Sequence, residues 1–138
     1  MAGPYYNLDP SALAQELEAA CRAGTEIVEV PSAEFDLLAA EGERMIYVLA
    51  GERLIVSKRH VTGEHISHAV LADGGPVQAA GEFEVSELGK VKVVMSINNM
   101  SGHYRPGRES LDAAMRAFEE RGLQVLPDSV EQYDWRTP

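Results

Sequence analysis

Apolar residues at a helical spacing open the chain. Leu13, Leu17 and Ala20 recur at intervals of three and four residues, so they share one face of a predicted helix. Asp9 stands where a capping residue is expected, and Gly24 stands where a helix commonly ends. The pattern therefore predicts a first amphipathic helix between these two residues, with Cys21 also on its apolar side.

A strand-to-helix step follows at residues 27–42. The short apolar stretch at residues 27–30 is typical of a strand. Ser32 is suited to cap a helix that carries Phe35 and Leu38 on its apolar face. A short second helix is therefore predicted directly after the first strand.

Runs of strand-forming residues, separated by turn signals, occupy the middle of the chain. The strongest turn signal is Asp73-Gly74-Gly75-Pro76, since glycine and proline both interrupt regular structure. These runs predict a mainly antiparallel sheet of about five strands. The predicted strands are residues 45–49, 54–57, 64–72, 77–85 and 90–98.

A third helix and a tail complete the pattern. Leu111, Ala114 and Phe118 line one face of a helix, and residues 123–126 predict an additional edge strand. The simplest arrangement is an α+β fold in which two or three helices pack on one side of the antiparallel sheet.

Chain length bounds the domain organisation. The 138 residues predict a single domain. Its expected parts are a helical or mixed segment at residues 1–42, a core of sheet and helix at residues 44–126, and an irregular tail at residues 127–138.

Composition and charge narrow the classes of partner. The formal net charge of -10 argues against binding to nucleic acid or to anionic membranes, because both attract Lys and Arg. The single cysteine excludes an internal disulfide. The sequence shows no signal peptide and no apolar run of about 18 residues. We therefore expect a cytoplasmic protein, or one secreted as part of a larger protein.

The hexapeptide between the last long strand and the third helix carries the strongest candidate chemistry. A histidine there is suited to proton transfer near neutral pH, and a tyrosine or arginine is suited to bind a substrate. The alternative is a structural helix entry in which the histidine satisfies free backbone groups. The six residues are Ser101, Gly102, His103, Tyr104, Arg105 and Pro106.

Two further candidates lie in the predicted third and fourth strands. His68 would share an apolar face with Ile66 and Val70, either as a buried structural histidine or at the floor of a pocket. Glu82 would act as an acid, a base or a partner to a histidine, or else lie in solvent. The small residues before it, which end in Gly81, would allow a backbone or a ligand to approach closely.

Several sequence motifs are missing. The sequence contains no phosphate-binding loop, dinucleotide fingerprint, zinc-protease helix or nucleophile elbow. The four histidines do not have the spacing of a metal site. We therefore predict no metal site, and the sequence identifies no cofactor.

Three ordered blocks carry a resemblance to known proteins. They are Ile-Ser-His-Ala-Val-Leu at residues 66–71, Gly-Pro-Val-Gln-Ala-Ala-Gly-Glu at residues 75–82 and Ile-Asn-Asn-Met-Ser-Gly-His-Tyr-Arg-Pro at residues 97–106. Together they resemble an uncharacterised domain of actinobacterial toxin-like proteins. A similar series, which ends in Ser-Gly-His-Tyr-x-Pro, occurs in plant IQ-motif calmodulin-binding proteins. The resemblance covers roughly residues 44–126 and implies one common site. Because no IQ motif is evident here, calmodulin binding is not implied.

Two functional hypotheses follow, and the sequence leaves open whether the protein is an enzyme. The first is a toxin-like effector domain that acts on a small molecule or nucleotide, with NAD-type chemistry favoured. Its catalytic residues would be His68, His103 and Glu82, and its substrate-binding residues Ser101, Tyr104 and Arg105. The second is a non-catalytic module that binds a small ligand or a protein partner with basic groups. A purely structural domain is the third alternative.

Overall fold

A seven-stranded sheet forms the centre of the protein in the computed structural model, which describes residues 3–135. In chain order, the strands of the described residues are β1 Val28–Glu29, β2 Met45–Ala50, β3 Arg53–Lys58, β4 His60–Val61, β5 Glu64–His65, β6 Ala79–Leu88, β7 Val91–Asn98, β8 Gln124–Val125 and β9 Val130–Glu131. Five antiparallel strands of the main sheet follow the order β1-β3-β2-β6-β7. The two short strands β8 and β9 then pair in parallel with successive parts of β7.

In the described part of the chain, four α-helices and a small hairpin surround the sheet, and a 3-10 turn at Pro10–Ala12 leads into the first helix. Ser32 caps the second helix as predicted, because its Oγ accepts a hydrogen bond of 3.0 Å from the backbone N–H of Phe35. The helices are α1 Leu13–Ala23, α2 Ala33–Ala40, α3 His68–Leu71 and α4 Ser110–Glu120, and the hairpin pairs β4 His60–Val61 with β5 Glu64–His65.

Helices cover both faces of the sheet. Tyr47 of β2 packs in a core that includes residues of α2 and α4. Its neighbours Ile46 and Val48 point to the other face and pack with residues of α1 and α3. The predicted α+β class is confirmed, but the helices do not all lie on one side. The reason is that β2 is apolar on both faces, which requires a cover on each.

The predicted third strand is wrong over most of its length. Residues 64–65 form β5, and the chain then turns into the single helical turn α3. All four residues of α3 are buried. A short, continuously apolar run has the same pattern in a buried strand and in a buried helix, so periodicity did not separate them.

Smaller differences concern Cys21 and the C-terminal segment. Cys21 is exposed, because it follows Ala20 by about 100° around the helix and so leaves the face that packs on the sheet. Within the predicted irregular tail, Pro127–Ser129 form a 3-10 turn that leads into β9. Residues 136–138 of that predicted tail lie outside the described residues.

Candidate functional site

The turn at residues 101–106 joins β7 to α4 and is held by its own backbone and by Tyr104. The Arg105 N–H donates to the Ser101 carbonyl at 2.7 Å, with Arg105 in the left-handed region at φ 46°. The Tyr104 ring is buried, and its hydroxyl donates to the Gly75 carbonyl at 2.7 Å. Burial, with a smaller effect of the Glu16 charge, raises the pKa of Tyr104 to about 12. Tyr104 is therefore a protonated structural contact at neutral pH.

His103 connects the turn to the N-terminal part of the chain. Its Nε2 lies 2.7 Å from Oε2 of Glu16 in α1. Its backbone carbonyl accepts a hydrogen bond of 2.7 Å from the Leu8 N–H. The side chain of His103 is about one quarter exposed, so this pair lies at the edge of the protein and not in its interior.

Ser101 and Arg105 lie on different sides of the turn. Ser101 is buried, and its Oγ has no hydrogen-bond partner within residues 3–135. Arg105 is exposed, and its guanidinium carbon lies 5.8 Å from the centre of the Trp135 ring, within the range of a cation–π contact. The Arg105 side chain is therefore open to solvent, whereas Ser101 is enclosed.

His68 is a buried residue of α3 that contacts the backbone of β6. Its Nε2 lies 2.8 Å from the Gly81 carbonyl, so Nε2 carries the proton that it donates to that oxygen. Burial is the main cause that lowers the pKa of His68 to about 3, and the nearby charge of Arg59 lowers it further. The ring is therefore uncharged at neutral pH and is poorly suited to exchange protons with a substrate.

Glu82 is engaged by two guanidinium groups. Its Oε1 accepts a hydrogen bond of 3.0 Å from Arg44, and its Oε2 forms an ion pair of 3.2 Å with Arg59. The Asn98 side-chain amide donates to Oε1 at 3.3 Å. These contacts join β6 to Arg44, Arg59 and Asn98, whereas the sequence-based hypothesis placed a histidine beside this carboxylate.

The sequence reasoning missed two buried asparagines that organise the site. Asn98 accepts the Glu82 and Met100 N–H groups on Oδ1, at 2.9 and 3.0 Å, and its backbone carbonyl accepts the Tyr47 hydroxyl at 2.8 Å. Such residues satisfy backbone groups where the sheet pairing ends. The adjacent pair Asn98-Asn99 at a strand end was the available signal, because asparagine is depleted within strands.

Asn99 fastens the C-terminal segment to the turn. Its Nδ2 donates to the carbonyls of Pro106 and Tyr133, each at 2.9 Å, and its Oδ1 accepts the Tyr133 N–H at 2.7 Å. The Trp135 indole N–H donates to the Asn99 carbonyl at 3.1 Å. One buried side chain therefore fixes both the exit of the turn and the segment that carries Tyr133 and Trp135.

Two concavities are connected to the turn. Arg105 lines the first, which we call the tail groove, and Glu16, the partner of His103, lines the second, which we call the α1 pocket. The tail groove has a volume of about 640 Å³, and Arg105 is the one predicted site residue in its lining. The α1 pocket has a volume of about 160 Å³ and lies between α1, β5 and the start of α3. The tail groove includes Tyr5, Arg105, Arg108, Asp112 and Trp135, and the α1 pocket includes Glu16, Ala20, Glu64, His65, Ile66 and Ser67.

A metal centre finds no support within residues 3–135. That part of the chain contains no group of three or more His, Cys, Asp or Glu side chains arranged to hold a metal ion. His60 and His65 do face each other across the small hairpin, with ring centres 4.9 Å apart.

A membrane span requires a helix that is both long and apolar. Within residues 3–135, none of the helices combines that length with that apolar character.

Fold and site together define an α+β domain with a buried polar network beneath a surface turn. A family model described as the IQ motif-containing protein middle domain matches residues 18–111, roughly two thirds of the chain. The chain therefore belongs to this family. The match confirms the resemblance to IQ-motif proteins and extends it back into α1, whereas the resemblance to actinobacterial toxin-like proteins receives no support. No curated protein and no solved structure matches the chain.

Proposed function

We propose that the protein is a non-catalytic module that binds a partner protein through the surface around the turn. The observation that carries this proposal is that the predicted acid and base groups already have structural partners. His68 is held by the Gly81 carbonyl, Glu82 by two arginines, and His103 by Glu16. A reaction that used His68 or Glu82 as its acid or base would require their contacts to break.

Exposed apolar side chains lie on the segments that meet at the turn. Tyr6 and Leu8 are 64% and 59% exposed, and the Leu8 backbone is bound to His103. Met100 and Tyr133 are 39% and 41% exposed, and both adjoin the asparagine pair. We define the turn face as Tyr6, Leu8, Met100, Arg105, Tyr133 and Trp135.

The composition of the turn face favours a protein partner over a small molecule. Tyr, Trp, Met and Arg are enriched at protein interfaces, and Tyr, Trp and Arg dominate their binding energy. The tail groove adjoins the turn face, because Arg105 and Trp135 belong to both. With a net charge of -10, the chain favours partners whose docking segment is basic.

Family membership supports the same class of partner. The family is named for proteins that contain an IQ motif, which is a calmodulin-binding segment, so its middle domain occurs in proteins that bind another protein. Because the present sequence shows no evident IQ motif, the proposed partner binds the turn face and is not calmodulin held by such a motif. The toxin-like hypothesis and its NAD-type chemistry have no comparable support.

A selection from a library of random peptides tests the proposal. We expect the wild-type protein to enrich peptides that carry a net positive charge together with apolar residues. The double variant Tyr6→Ala/Leu8→Ala should bind an enriched peptide at least about tenfold more weakly, because the loss of two interface anchors costs about 2 kcal/mol or more and about 1.4 kcal/mol corresponds to tenfold. Fluorescence anisotropy with the labelled peptide measures the ratio.

The matched control uses two equally exposed residues elsewhere. Leu37 and Leu88 are 72% and 61% exposed, and Leu88 lies at the far end of the β6–β7 pair from the turn. Leu37→Ala/Leu88→Ala should leave the affinity within about twofold of wild type. Equal losses in both double variants, or enrichment of acidic peptides, would contradict the proposal.

A further inference from the structure

We propose that the α1 pocket binds a lysine side chain of the partner protein, as an anchor beside the turn face. This inference rests on the proposed function, because the lysine belongs to the segment that docks there. Glu16 connects the α1 pocket to the turn face. Glu16 lines the pocket, and its carboxylate contacts the His103 ring. The backbone carbonyl of His103 in turn accepts a hydrogen bond from Leu8 of the turn face.

The size and floor of the pocket fit one aliphatic side chain. Its volume of about 160 Å³ is well below the roughly 300–1,000 Å³ of pockets that hold drug-sized ligands. Apolar side chains from α1, the approach to α3 and α3 itself form its floor, namely Ala19, Ala20, Ile66 and Val70. The methylene stem of a lysine can bury itself along such a surface while its charged end stays near a polar rim.

The charge of the rim favours a cation. Glu16 and Glu64 both line the pocket, and no Lys or Arg is among its described lining residues. His65 also lines it, and burial, followed by the charge of Arg59, lowers the pKa of His65 below its usual value, so the ring is uncharged at pH 7. Arg59 is itself paired with Glu82.

Two lining side chains have acceptor atoms without a donor. Glu16 Oε2 is bound to His103, but Glu16 Oε1 is buried and has no hydrogen-bond partner within the described residues. The same holds for Ser67 Oγ. Buried polar atoms in folded proteins are nearly always paired, and both atoms are enclosed in this structure, so a donor in the pocket would pair with either one after a rotation of its side chain. An ammonium group supplies three donors and no acceptor.

An ammonium group fits better than the alternatives. A carboxylate would add charge of the same sign as Glu16 and Glu64, and a neutral alcohol would leave their charges without compensation. A guanidinium is a wide, planar fork, whereas an ammonium is a compact charge on a flexible stem, which suits a narrow pocket.

Titration of the isotope-labelled protein with n-butylammonium, followed by NMR, tests the pocket alone. We expect saturable shifts at the backbone amides of Ala19, Ala20, Ile66 and Val70, with a dissociation constant on the order of millimolar for so small a ligand. N-butylacetamide, which has the same stem but no charge, should leave these amides unshifted.

Paired variants on one helix separate a specific carboxylate from general surface charge. Glu16→Gln should weaken n-butylammonium binding by about tenfold or more, because it removes the charged acceptor. Glu18→Gln changes a carboxylate that is 68% exposed and paired with Arg22, and it should stay within about twofold of wild type. Ala19→Leu fills the floor without changing any charge and should also abolish binding, which covers the case in which Glu16→Gln disturbs folding.

The outcomes distinguish this inference from the proposed function. In a selected peptide, replacing the anchoring lysine with norleucine should cost about tenfold in affinity. Some peptides could lose affinity for the Tyr6→Ala/Leu8→Ala variant yet keep their affinity when each of their lysines is replaced with norleucine. That result would overturn the lysine pocket and leave the proposed function intact. Saturable n-butylammonium binding without any selected peptide would make this a site for free amines, which overturns the partner's lysine and the proposed function together. Absence of shifts in the wild-type titration would also overturn the inference.

Discussion

Gly81→Ala should destabilise the protein by about 3 kcal/mol or more, which lowers the melting temperature by on the order of ten degrees. A methyl group at residue 81 would lie 1.8 Å from the Asn98 carbonyl oxygen and 2.7 Å from its carbon. The obstacle is backbone, so no side-chain rotation relieves it. Any shift of that carbonyl also strains the hydrogen bond from Tyr47, which adds about 1 kcal/mol to the usual cost of overpacking.

Gly102 provides the matched control for this prediction. No atom outside its chain neighbours lies within 4 Å of a methyl group placed on Gly102, although Gly102 belongs to the turn itself. Gly102→Ala should therefore change the free energy of unfolding by no more than about 0.5 kcal/mol. Urea denaturation of both variants decides the matter, and a Gly81→Ala midpoint equal to that of wild type would show that β6 and β7 do not approach each other as described.

Acidification below pH 6.5 should destabilise the protein through His68. An unfolded histidine binds a proton below about pH 6.5, whereas His68 stays neutral in the folded state until about pH 3. Between these values the unfolded state holds the extra proton, so the free energy of unfolding falls as pH falls, by up to about 1.4 kcal/mol per pH unit. Between pH 7 and pH 5 this amounts to about 2 kcal/mol.

His68→Gln isolates this contribution, because glutamine keeps an amide donor for the Gly81 carbonyl but does not titrate. The variant should be less stable at pH 7 by about 1–3 kcal/mol, with a distinctly flatter dependence of stability on pH between 6.5 and 5. The lowered pKa of His65 leaves a smaller slope of the same sign.

Val70→Ala is the control for a loss of packing in the same helix. Val70 is also buried, so its truncation should lower stability at every pH but keep the wild-type slope. Chemical denaturation at a series of pH values, followed by circular dichroism, compares the three proteins. Parallel slopes for wild type and His68→Gln would contradict a neutral, buried His68.

Local signals in the sequence predicted the parts of the fold that depend on local chemistry. Ser32 capped its helix as expected, since capping needs only a hydroxyl and the following turn. The small residues of β6 predicted a close approach, and Gly81 indeed lies against the Asn98 carbonyl. The turn at residues 101–106 was placed correctly between a strand and a helix.

Features that depend on distant parts of the chain were not predictable in the same way. The continuous apolar run of β2 is a signal that both of its faces are buried, but it does not say which helix returns to cover each face. His68 was assigned to a strand because a short run of apolar neighbours is equally compatible with a buried strand and with a buried helix. Tyr133, a partner of Asn99, lies 34 residues further along the chain, beyond the reach of any local pattern.

Hydrogen–deuterium exchange of the protein with and without a selected basic peptide tests the central claim most directly. The account predicts slowed exchange at the segments that form the turn face, namely residues 5–9, 99–105 and 132–135, together with unchanged exchange at the Leu88–Val91 hairpin end. These places lie at opposite ends of β7, about 20 Å apart, so the footprints are readily separated. Protection centred on the hairpin end, with the turn segments unaffected, would contradict the proposal that the turn face is the binding surface.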